Sequence, residues 1–107
     1  MSSISPTELA ARLGCPLPPR LLDVREADEH AFCALPGSVL VPLSELQERA
    51  GDIAAWKDDD IVVYCHHGVR SAHAIGFLRG LGFAKLMNLS GGIDRWSLEV
   101  DPRTPRY

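Results

Sequence analysis

The segment with the clearest chemical potential is Ile61-Val62-Val63-Tyr64-Cys65-His66-His67-Gly68-Val69-Arg70-Ser71. Its first four residues are all β-formers, which predicts a strand buried on both faces. That strand delivers Cys65 to its carboxyl end. A loop from Cys65 to Arg70, with Gly68 inside it, then leads into a helix predicted over Ser71 to Leu81. Backbone N–H groups at such a loop-to-helix junction lack intrahelical partners. Curled inward, they form an anion-binding nest, and the helix dipole adds positive potential. A thiol held there ionises more readily, because the thiolate is the form being stabilised. Arg70 supplies a fixed positive charge and Ser71 a hydroxyl that can donate to the sulfur. Cys65 is therefore the candidate nucleophile, and His66, His67, Gly68, Val69, Arg70 and Ser71 form the candidate binding loop. The same cradle suits a persulfide, whose outer sulfur is also an anion.

The elements needed to hold this loop can be read on either side of it. Ser5-Pro6-Thr7-Glu8 is a capping box with Pro at the first helical position, predicting a helix to about Leu13 with Gly14 as its stop. Cys15 to Pro19 reads as a connector. Leu21 to Val24 is a short strand, Glu26 to Phe32 one or two helical turns, Leu35 to Ser38 a turn, and Val39 to Val41 another strand. Ser44-Glu45-Leu46-Gln47 reads as a second capping box, opening a helix that Gly51 ends. Asp58-Asp59-Asp60 is a solvated polar turn. Beyond the central loop, Ala72, Ile75, Leu78 and Leu81 share one side of the predicted helix, which Gly82 ends. Lys85 to Leu89 is a last strand. Gly91-Gly92 leads into a short helix bearing Trp96, and the Pro- and Arg-rich tail from Asp101 to Tyr107 is expected on the surface. Alternating strands and helices predict an α/β domain with a mostly parallel central sheet and helices on both faces. Ligands in such sheets bind beyond the carboxyl ends of the strands, which is where Cys65 falls.

Composition narrows the function classes. The chain has 107 residues, 46% of them hydrophobic, so residues 1–107 are expected to form a single domain with one core. The net charge is -3 and no Lys/Arg run stands out, which argues against nucleic-acid or membrane-surface partners. No apolar run is long enough for a membrane span, and the first residues lack a secretory pattern, so a cytoplasmic setting is expected. Three cysteines, Cys15, Cys33 and Cys65, make no disulfide framework. Cys33 reads as a small hydrophobe, with a resolving-thiol role as the alternative. His66, His67 and Cys65 are adjacent and lack a fourth ligand at standard spacing, so no metal is expected. His30 and His73 read as surface or helix-face residues, and Trp96 as a core anchor. Arg25 is expected to pair with a carboxylate such as Glu29.

The loop Cys65-x-x-x-x-Arg70-Ser71, with Gly68 inside, resembles the active-site loop of rhodanese domains. Leu22-Asp23-Val24-Arg25-Glu26, Leu35-Pro36-Gly37-Ser38 with Val41-Pro42-Leu43, and Asn88-Leu89-Ser90-Gly91-Gly92-Ile93 with Trp96 resemble further signatures of that family, in the family's order. The resemblance implies a rhodanese-like α/β fold and sulfane-sulfur transfer without a cofactor. It implies a small sulfur-containing anion such as thiosulfate as donor, and cyanide or a protein or thiol as acceptor. Related phosphatases and arsenate reductases place one more residue between Cys and Arg, so the four residues here favour sulfur. His66 and His67 stand where some thiosulfate-specific members carry Arg or Lys. The stretch from Gly91 to Pro102, with Pro105-Arg106-Tyr107, also resembles the end of rhodanese domains fused to sulfur-carrier-activating adenylyltransferases. That likeness implies a protein-to-protein sulfur relay as the alternative function.

Overall fold

In the computed structural model, which describes residues 2–107, the chain forms five strands and five α-helices. In chain order these are β1 (Ser3–Ile4), α1 (Pro6–Leu13), β2 (Arg20–Asp23), α2 (Ala27–Phe32), β3 (Val39–Leu40), α3 (Leu46–Arg49), β4 (Ile61–Tyr64), α4 (Val69–Gly80), β5 (Leu86–Leu89) and α5 (Gly92–Glu99). The strands make one sheet in the order β1-β5-β4-β2-β3, and every pairing is parallel.

Strand β4 lies at the centre of the sheet because its sequence can be buried on both sides. Ile61, Val62, Val63 and Tyr64 are each at most 1% exposed. Alternation along the strands divides the core between two faces. Leu22, Val24, Ile61, Val63 and Cys65 pack with Ala74, Ile75 and Leu78 of α4 and Leu46 of α3. Leu21, Val62, Tyr64 and Leu89 pack on the other face with Leu9 of α1 and with Ile93 and Trp96 of α5. Helices therefore cover both faces, as the alternating pattern predicts. No helix among the described residues is long and apolar enough to cross a membrane.

The first capping box forms as read. Ser5 Oγ accepts from the Glu8 N–H at 3.1 Å, and Glu8 Oε1 accepts from the Ser5 N–H at 3.0 Å. The second does not form. Ser44 lies in a 3-10 turn over Leu43–Glu45, and its hydroxyl donates instead to Glu26 at 3.1 Å. Nor does Gly51 end the helical run. A 3-10 segment continues over Ala50–Trp56, because Ile53 must still reach the core. Strand β1 carries no periodic signal in two residues and exists through its pairing with β5. Helix α4 opens two residues earlier than its pattern suggests, placing Val69 and Arg70 in its first turn. Its buried residues are Ser71, Ala74, Ile75 and Leu78, while Leu81 lies outside the helix and is exposed.

The acidic turn carries ion pairs: Asp60 meets Arg12 at 2.8 Å and Asp59 meets Arg20 at 3.2 Å. Arg25 corrects a further expectation. Its carboxylate partner is Asp23, not Glu29, and both members of that pair are fully buried. Asp23 also accepts from Tyr64 and holds His30 Nδ1 at 2.8 Å, which puts the His30 ring against buried structure. Burial opposes the Arg25 charge, but its bonds to Asp23 and Tyr107 outweigh that cost and raise its pKa above the ordinary value.

Candidate active site

Cys65 sits one residue past β4 on the floor of the loop and is 1% exposed. The Gly68 N–H donates to its sulfur at 3.1 Å and the Ser71 N–H at 3.4 Å. Gly68 is the residue before α4 and Ser71 closes its first turn, so both donors belong to the unsatisfied set at a helix N-terminus. Gly68 adopts φ +114°, a conformation costly for any residue with a Cβ. The N–H groups thus face the sulfur, as the nest requires.

The loop is turned this way by α5. The Ile93 N–H donates to the Cys65 carbonyl at 2.9 Å, and the Asp94 N–H to the His66 carbonyl at 3.2 Å. Holding those carbonyls on the α5 side leaves the following N–H groups free to turn towards the thiol. The approach is close enough that a Cβ on Gly92 would lie 2.3 Å from the His66 carbonyl oxygen. Gly92 is therefore a close-approach glycine rather than only a turn residue.

Ser71 Oγ lies 3.4 Å from the sulfur and donates at 2.6 Å to Asn88 Oδ1. Asn88 is held in turn by its Nδ2, which donates to the Gly68 carbonyl at 3.1 Å. With its hydrogen on Asn88, the serine accepts from the neutral thiol. It becomes a donor to the thiolate only by turning that hydrogen away from Asn88. The backbone N–H groups need no such change. Burial of the thiol pushes its pKa up, but the bonds from Ser71 and the backbone of Gly68 and His67 outweigh it, and the net direction is down.

Arg70 points to Glu29 of α2. Its Nη1 and Nη2 donate to Glu29 Oε1 and Oε2 at 2.6 and 2.9 Å. This bidentate pair braces the loop against α2, so the fixed positive charge of Arg70 is shared between Glu29 and the sulfur site. The pair holds the Glu29 carboxyl well below the usual carboxylate range and raises the Arg70 pKa. The His66 ring is stacked on Tyr107, with centroids 3.9 Å apart, and also meets the His67 ring at 3.9 Å with the planes tilted by 33°. Burial and the neighbouring His67 lower its pKa. His67 and Val69 are exposed at the loop's outer side.

Cys33 lies on the opposite core face from Cys65, packed with Tyr64 and Leu35, and Cys15 is exposed. His73 is exposed on α4. Three residues were not assigned to the site from sequence. Asn88 carries a weak signal: a polar residue between Met87 and Leu89 near the carboxyl end of a strand whose partner is the catalytic candidate's own strand. Glu29 and Tyr107 carry none, because their proximity to the loop arises only on folding.

A family model described as the rhodanese-like domain matches residues 5–99. A sulfurtransferase from Allochromatium vinosum is 32% identical over 97 residues, covering 91% of this chain and 89% of that protein. The adenylyltransferase and sulfurtransferase MOCS3-2 of Zea mays is 35% identical over 95 residues, covering 84% of this chain but 20% of the maize protein. For several other curated relatives the chain spans only 27–40% of their length. Among solved structures, a rhodanese-like domain protein from Staphylococcus aureus superposes with a TM-score of 0.85 at 27% identity, covering 100% of this chain and 99% of that one.

Proposed function

This chain belongs to the rhodanese-like domain family, and from that premise we propose that it transfers sulfane sulfur through a persulfide on Cys65. The observation that carries the proposal is the pair of N–H groups, from Gly68 and Ser71, aimed at the Cys65 sulfur. A donor of the thiosulfate class is attacked by the Cys65 thiolate at its outer sulfur. The new S–S bond forms as the bond to the sulfonate sulfur breaks, and sulfite leaves with that electron pair. The product is a Cys65 persulfide anion. A thiophilic acceptor such as cyanide then attacks the outer sulfur and leaves as thiocyanate, which restores the thiolate. In this reading Cys65 is the nucleophile and carrier, and the backbone from His66 to Ser71 stabilises both anions. The Arg70–Glu29 pair holds the loop in place.

Protein-to-protein sulfur relay is the second reading. Its support is the likeness to a maize protein whose name pairs adenylyltransferase with sulfurtransferase. In that case the acceptor is a protein or thiol rather than cyanide. Either way, residues 1–107 act as one domain, a reading supported by the two apolar clusters that share a single sheet among the described residues. Three unpaired cysteines support a reducing, cytoplasmic setting.

The test is intact-protein mass after brief exposure to thiosulfate, for wild type and Cys65→Ala, each then treated with cyanide. The expected outcome is a gain of one sulfur on wild type only, removed by cyanide with thiocyanate released. A gain on a protein persulfide donor but not on thiosulfate would favour the relay. A gain on neither would overturn both readings.

A further inference from the structure

The tail lies on the surface, as expected, with Asp101 and Thr104 half-buried and the rest of 102–107 exposed, but it returns to the sulfur site. Ser97 of α5 donates to the Thr104 carbonyl, and Arg106 pairs with Asp94 at 2.9 Å. Asp94 belongs to the first turn of α5, next to Ile93 and the loop carbonyls that turn holds. The anchored tail then sets down Tyr107. Its ring lies flat on His66, with centroids 3.9 Å apart and planes 8° from parallel. Phe32 meets it in a T-shaped contact, with ring centroids 5.9 Å apart. Its hydroxyl donates to Glu29 Oε2 at 2.7 Å and accepts from the buried Arg25 Nη1 at 3.0 Å.

We propose that Tyr107 is a positioning residue for the sulfur-transfer loop, an inference that rests on the carrier role proposed for Cys65. The side chain reaches the loop at both ends by different means. Its ring bears on His66, the residue after Cys65. Its hydroxyl shares Glu29 Oε2 with Arg70, in the first turn of α4. The Gly68 N–H that donates to the sulfur lies between these two supports. A loop with a glycine at φ +114° has little stiffness of its own, so the direction of that N–H depends on what holds the loop's ends. Burial is the largest influence on the Tyr107 hydroxyl. Set against Arg25 and helped by Glu29, it leaves the pKa pushed up to about 12. The hydroxyl therefore stays protonated and can donate across the neutral range.

Ring and hydroxyl can be separated experimentally. Tyr107→Phe keeps the stack on His66 and loses both hydroxyl bonds, whereas Tyr107→Ala loses everything. Two quantities would be measured on each full chain: the pH dependence of Cys65 alkylation by iodoacetamide, read by peptide mass, and the rate of persulfide loading from thiosulfate. A purely structural role would leave the alkylation midpoint unchanged. For Tyr107→Ala we expect that midpoint to rise by about half a pH unit or more, because a loosened cradle stabilises the thiolate less. Its loading rate should fall roughly tenfold, the scale of a small misplacement of reacting groups. Tyr107→Phe should recover most of both. Wild-type values for both quantities in Tyr107→Ala would overturn the proposal. If that variant does not fold, Tyr107→Leu, which keeps apolar volume without a flat ring or hydroxyl, is judged by the same criteria. Should the wild type load no sulfur from any donor while the alkylation midpoint still shifts in Tyr107→Ala, the carrier reading fails and the positioning role stands.

Discussion

At the scale of single residues, the chemistry of Cys65 depends on which donors are already aimed at its sulfur. The N–H groups of Gly68 and Ser71 are fixed by the backbone, while the Ser71 hydroxyl is shared with Asn88. Ser71→Ala removes the shared donor and leaves the backbone ones. A hydrogen bond to a charged group contributes about 1.5–3 kcal/mol, but turning the hydroxyl from Asn88 to the sulfur offsets part of that. The expected rise in the Cys65 pKa is therefore about one unit. Alkylation rate against pH, compared with wild type, measures it directly, and superposed curves would show that the hydroxyl does not stabilise the thiolate. The cysteine, the glycine and the serine were all legible in the sequence because they are neighbours along the chain. Arg70 was legible as a loop residue, but not as the partner of Glu29, since 41 residues separate them. Tyr107 stayed hidden for the same reason, and Asn88 showed only as a polar residue near a strand end. A side chain brought in from another element leaves no trace in local spacing.

At the scale of elements, the candidate loop is held by strand β4 behind it and by the N-terminus of α5 beside it. Strand β4 was readable because four apolar β-formers in sequence admit few other structures. The α5 contact was not, because Gly91-Gly92 reads equally well as an ordinary turn. The distinction lies in space: a Cβ on Gly92 would sit 2.5 Å from the Cys65 carbonyl oxygen, and the residue has φ +62°. The second capping box failed for a related reason. Its four residues fit the pattern, yet the core draws Leu46 and Ile53 inward and Ser44 finds Glu26 instead. Gly92→Ala is expected to destabilise the fold by roughly 2–4 kcal/mol, from left-handed strain together with the steric overlap. It should also raise the Cys65 pKa, since the loop carbonyls lose their α5 donors. Gly76→Ala is the matched control. Gly76 is an exposed residue inside α4, and a Cβ added there would meet nothing within 4 Å, so alanine should stabilise by about 0.5–1 kcal/mol. Denaturant midpoints of the two variants should move in opposite directions. A harmless Gly92→Ala would mean that α5 does not set the loop conformation.

At the scale of the whole molecule, one carboxylate ties together parts of the chain that are distant in sequence. Glu29 belongs to α2. It accepts from Arg70 at the start of α4, from Tyr107 in the tail and from the Glu26 N–H at the start of its own helix. Its side chain is 16% exposed and that of Arg70 is 36% exposed, so solvent screens the pair only in part. The Arg70 bond is the largest cause holding the carboxyl pKa below its ordinary 4.5, and burial opposes it. A carboxyl depressed in the folded state stabilises the fold above its unfolded pKa. Below that value the unfolded chain takes up the proton first, so the contribution declines as pH falls through the folded pKa. Glu29→Gln keeps the shape and removes the charge. Wild type should therefore exceed Glu29→Gln in Tm at pH 7, and the gap should narrow steadily once the pH drops below about 4.5. Thermal melts of both proteins between neutral and strongly acidic pH measure that gap. A gap that stays constant on acidification would assign the contribution of Glu29 to packing rather than charge. The pH dependence of the whole fold would then have to originate in another ion pair.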